Sequence, residues 1–79
     1  MATRREMIRR FKRSIATTEQ SLVGAQYVED ALQGIDTTFI DDPGCDLVNE
    51  EIDKIQALIR EYESSITEWK ETLRLLEAP

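Results

Sequence analysis

Val48–Leu76 reads VNEEIDKIQALIREYESSITEWKETLRLL. Within it Val48, Ile52, Ile55, Ile59, Tyr62, Ile66, Trp69, Leu73 and Leu76 recur at spacings that alternate four and three without a miss. An α-helix turns once in about 3.6 residues, so this alternation lays the large apolar side chains along one stripe. Setting heptad position a at Ile52, Ile59, Ile66 and Leu73 puts Val48, Ile55, Tyr62, Trp69 and Leu76 at d, the pattern with which helices wind about each other. The segment before it holds Thr37-Thr38, Asp41-Asp42 and Pro43-Gly44, turn and breaker residues around Phe39 and Ile40. That composition predicts a loop over about 35–45, with Asp46 as the N-cap of a helix over about 47–77.

A second helix is predicted upstream, over about 4–33. Thr3 and Glu6 have the spacing of a capping box, and Gly34 is suited to end the helix in a left-handed conformation. Ile8, Phe11, Ile15, Thr18, Leu22 and Ala25 form its stripe. Glu29 falls where the next apolar residue belongs, and Val28, Leu32 and Ile35 suggest that the face moves by one position there, as in a stammer.

The expected fold is therefore all-α, a single domain over 1–79 built as an antiparallel helical hairpin with coiled-coil heptads. The connection is too short for the second helix to run parallel to the first. Two helices leave the flanks of Tyr62 and Trp69 uncovered, and Leu47, Leu58 and Leu75 lie off the main stripe, so the hairpin is expected to dimerise into a four-helix bundle with Tyr62 and Trp69 at the interchain core. The candidate core and oligomer interface is Val48, Ile52, Ile55, Ile59, Tyr62, Ile66, Trp69, Leu73 and Leu76 with Ile8, Phe11, Ile15 and Leu22.

Composition narrows the function. The 79 residues are 41% hydrophobic and 33% charged with three Gly and two Pro, a helix-rich profile rather than a disordered one. No apolar run approaches the roughly 20 residues of a membrane span, and Met1-Ala2-Thr3-Arg4-Arg5 does not open a signal peptide, so the expected address is cytoplasmic. Cys45 is the sole cysteine and histidine is absent, which leaves no disulfide framework, no activated thiol and no imidazole base. With no glycine-rich phosphate loop either, the chain reads as a non-enzyme without a cofactor.

The net charge of −6 is unevenly spread. Residues 1–13 set Arg4, Arg5, Arg9, Arg10, Lys12 and Arg13 against Glu6, a net of +5, while residues 14–79 sum to −11. The basic cluster is a candidate anion or partner contact, although antiparallel pairing brings it beside Glu63, Glu68, Glu71 and Glu77. Asp41, Asp42, Asp46 and Glu50, with Asp36, Glu51 and Asp53 nearby, form an acidic segment suited to a basic protein partner; its order is not that of a calcium loop, and no metal is expected. The function this predicts is a self-associating protein–protein interaction module: an assembly subunit, an adaptor, or a small inhibitor of a larger, unidentified protein, as with the compact acidic proteins viruses direct at host enzymes. The alternative is a binder of nucleic acid or anionic membranes acting through Arg4 to Arg13.

Overall fold

The computed structural model describes residues 1–36, 38 and 40–79; the loop assignment of Thr37 and Phe39 lies outside the described residues. Two helices, α1 (Arg4–Gln33) and α2 (Asp42–Glu77), pack against each other as a hairpin about 59 Å long. Thr3 begins α1 as expected, its hydroxyl accepting the Glu6 amide at 3.2 Å. At the other end the Gly34 amide donates to the Asp30 carbonyl and the Ile35 amide to the Leu32 carbonyl. Gly34 itself has φ −81° and ψ −4°, so the left-handed ending expected of it does not form: a right-handed final turn already closes these bonds.

Helix α2 starts several residues earlier than its sequence suggests. Asp41, not Asp46, is the N-cap, its Oδ1 accepting the Gly44 amide at 2.8 Å, and the first backbone bond runs from the Cys45 amide to the Asp41 carbonyl. Pro43 sits in the opening turn, where a missing N–H costs nothing because those amides have no partner inside the helix. The breaker dipeptide is thus a helix start, Asp46 lies within α2, and the connection shrinks to 34–41.

Cross-helix ties fix the antiparallel register. The Arg4 guanidinium donates to the carbonyls of Leu76 and Ala78, satisfying groups the end of α2 leaves free. Lys12 pairs with Glu77 at 3.9 Å and Glu19 with Lys70 at 3.2 Å, one heptad apart on both helices. Among the described residues Ile15, Ala25, Ile59 and Ile66 are buried, and Ile8, Phe11, Leu22 and the other stripe residues of α2, including Tyr62 and Trp69, are half-buried.

The stripe of α1 does not shift. Glu29 and Leu32 are half-buried and continue the alternation, whereas Val28 and Ile35 are exposed. A straight helix facing an unbroken partner stripe keeps its phase, and a glutamate can lay its methylenes along a seam while its carboxylate stays wet.

Candidate functional site

The basic cluster divides in two. Arg4 and Lys12 turn toward α2 and are used within the hairpin, while Arg5, Arg9, Arg10 and Arg13 are exposed and form no ion pair among the described residues. Of the glutamates expected to neutralise them, Glu77 pairs with Lys12 and Glu71 with Arg74 on its own helix, at 2.6 Å. Glu6, Arg9, Arg10 and Arg13 line a surface depression of about 270 Å³. A second depression lies beside Met7, Arg10, Phe11 and Ser14. Positive charge in the first turn of a helix opposes the macrodipole, so Arg5 sits in an unfavourable field.

The acidic candidates serve the backbone first. Asp41 caps α2, Asp42 lies in its first turn, and the Asp36 carboxylate accepts the Thr38 amide at 2.9 Å; hydrogen bonding from the Thr38 side chain, and then from its amide, holds the Asp36 carboxyl below its usual range. Asp46 and Glu50 are exposed along the first turns of α2. Among the described residues no group of three potential metal ligands comes together, and no helix is long and apolar enough to cross a membrane. Cys45 is half-buried, with its thiol 3.6 Å from the Ile40 carbonyl.

Sequence reasoning did not single out the outward face of α1. Val23 is 65% exposed, Tyr27 78% and Val28 45%. A Cβ built on Gly24, on the same side, would meet nothing within 4 Å. The signal was present: between Ser14 and Val28 the single charge is Glu19, and that carboxylate is tied to Lys70. The outward face of α2 is different in kind, carrying Glu50, Asp53, Lys54, Arg60, Glu61, Glu68, Glu71 and Arg74, all exposed. Leu47 and Leu75 are exposed there as isolated residues, and Leu58 is half-buried at the edge of the seam.

These features define a two-helix hairpin whose seam is internal and whose two outward faces differ, one charged along its length and the other exposing Val23 and Tyr27 between the charges of Arg13 and Asp30. No known protein family, curated protein or solved structure matches the chain.

Proposed function

We propose that the chain is a non-enzymatic protein–protein interaction module, a self-associating helical hairpin that serves as an assembly subunit, an adaptor or a small inhibitor of a larger partner. The observation that carries this reading is the outward face of α1, where Val23 and Tyr27 stand exposed in a stretch almost free of charge. Exposed aromatic and branched side chains grouped on one face supply the contact energy of protein interfaces, whereas a solvated helix face carries charge. Heptad packing within each hairpin and pairing of two hairpins into a four-helix assembly would cover that face. The reading sets its work in the cytoplasm, since a sequence with a single cysteine carries no disulfide framework of the secreted kind.

Sedimentation equilibrium from about 1 µM to about 1 mM tests it, a range spanning weak and moderate affinity. The expected result is a mass rising from the 9.1 kDa of one chain toward twice that value. A single-chain mass throughout would refute self-association.

A second reading has its own support, because Arg5, Arg9, Arg10 and Arg13 have no ion pair within the described residues. Four such charges suit a phosphate backbone or an anionic lipid surface. Binding to a duplex or to anionic vesicles at low salt, lost steeply as salt rises, would establish it.

A further inference from the structure

We propose that the outward face of α1 is the contact between two copies of this chain, packed antiparallel about a two-fold axis through Gln20. This rests on the self-association proposed above and specifies the surface and the register. The outward face consists of Arg9, Arg10, Arg13, Ala16, Thr17, Gln20, Val23, Gly24, Tyr27, Asp30 and Ala31, every one exposed, and its order decides the occupant.

The face is complementary to its own reversal. Arg10 and Asp30 stand equally far from Gln20 in opposite directions, as do Arg13 and Tyr27, Ala16 and Gly24, and Thr17 and Val23. Laid against a reversed copy, Arg10 comes level with the second copy's Asp30, and Arg13 with the ring of the second copy's Tyr27. The first is an ion pair and the second a cation–π contact, and two-fold symmetry makes each twice. Between them the short residues Ala16, Thr17 and Gly24 let the helices approach, and Val23 is covered.

Three physical arguments favour this occupant. Parallel packing would stack Arg9, Arg10 and Arg13 on their own copies, whereas reversal separates them. At the far end of α1 Asp30 lies in the last turn with no base there, charge of the sign the macrodipole disfavours. An antiparallel neighbour sets the second copy's Arg10 beside that Asp30, supplying the base the last turn lacks. A purely acidic partner would match Arg9, Arg10 and Arg13 but would face Asp30 with like charge. The contact spans about 30 Å of helix, a small interface of the kind that dissociates in the micromolar range.

The full chain tests this by sedimentation velocity. Val23→Glu with Tyr27→Glu, at positions exposed in the hairpin, is expected to give a monomer with unchanged helical circular dichroism. Arg10→Asp or Asp30→Arg alone should weaken the dimer by on the order of tenfold, and the two together should restore it, since each copy then offers the reversed pair. In a Cys45→Ser background, Gln20→Cys should form an interchain disulfide under mild oxidation and Glu61→Cys, on the outward face of α2, should not. If the wild-type chain dimerises but Val23→Glu with Tyr27→Glu and the charge reversals leave the dimer intact, this face is not the contact while self-association stands. A wild-type monomer at all concentrations overturns both. Loss of anionic-vesicle binding as the sole effect of Arg10→Asp, with the wild type monomeric, would assign the face to lipid instead.

Discussion

At the start of α2 two aspartates have the chemistry of an N-cap, and the one that serves is set by where Pro43 fits. Asp41 precedes the proline, and its carboxylate holds the Gly44 amide at 2.8 Å, while Asp46 lies a turn inside the helix. Asp41→Ala should therefore lower stability by about 1 kcal/mol in urea unfolding, and Asp46→Ala by a few tenths at most. Equal effects would place the helix start after Gly44. Gly44 belongs to the same device: a Cβ there would lie 2.3 Å from the Ile40 Cγ2 and 2.8 Å from the Asp41 Oδ1, so an alanine would displace the cap. Far along α2, Glu71 receives two hydrogen bonds from the Arg74 guanidinium, and that bonding, with the nearby charge, holds its carboxyl below the usual glutamate range. A depressed carboxyl stabilises the folded chain above its unfolded pKa, and the contribution disappears as the pH falls through the folded value. NMR titration should find Glu71 more acidic than an ordinary exposed glutamate, and Arg74→Ala should abolish the difference. The pair is fully exposed, so added salt should shrink the effect.

Between the two helices, α2 was readable from the sequence and the second half of α1 was not. Every residue of the alternating four–three stripe of α2 from Val48 to Leu76 is large and apolar and is buried or half-buried, so pattern and geometry agree. In α1 the inward position at residue 29 holds a glutamate while the adjacent Val28 is apolar, and following hydrophobicity instead of helical phase produced a shift that the helix does not make. The α2 boundary slipped for a related reason: Pro43-Gly44 reads as a break unless the proline is recognised as a first-turn residue. The retained phase has a consequence, because Glu29 is half-buried on the seam side of α1. Glu29→Leu should complete the stripe and stabilise the hairpin by about 1 kcal/mol, with no such gain from Val28→Leu, as thermal melts would show. A reversed ranking would restore the shifted face. On α2, Ile59→Asp or Ile66→Asp places an unpaired charge at a buried position and should unfold the chain or cost more than about 3 kcal/mol, while Glu63→Ala, at an exposed one, should stay within about 0.5. Circular dichroism and urea titration separate these outcomes.

Taken whole, the molecule is a rod with extents of 59 × 20 × 14 Å, and among the described residues four side chains are buried, a thin core. Small domains offset chain entropy with difficulty, and the usual remedies are disulfides, metals or association. With Cys45 as its one cysteine the sequence cannot close a disulfide on itself. Association is the remedy consistent with the uncovered face of α1, which sequence reading passed over because it sought a continuation of the seam rather than a second surface on the same helix. If two copies share that face, folding is coupled to dimerisation and stability depends on protein concentration. Above the dimer dissociation constant, each tenfold rise in concentration adds roughly 0.7 kcal/mol per chain. For a domain of this size that should raise Tm by about 3 to 5 °C. The variant with Val23→Glu and Tyr27→Glu keeps the intrachain seam and loses the shared face, so its Tm should be independent of concentration and equal to that of the wild type at high dilution. Melting both proteins over two decades of concentration is the measurement. A wild-type Tm that does not move would mean that the single hairpin, thin as its core is, carries all of the stability.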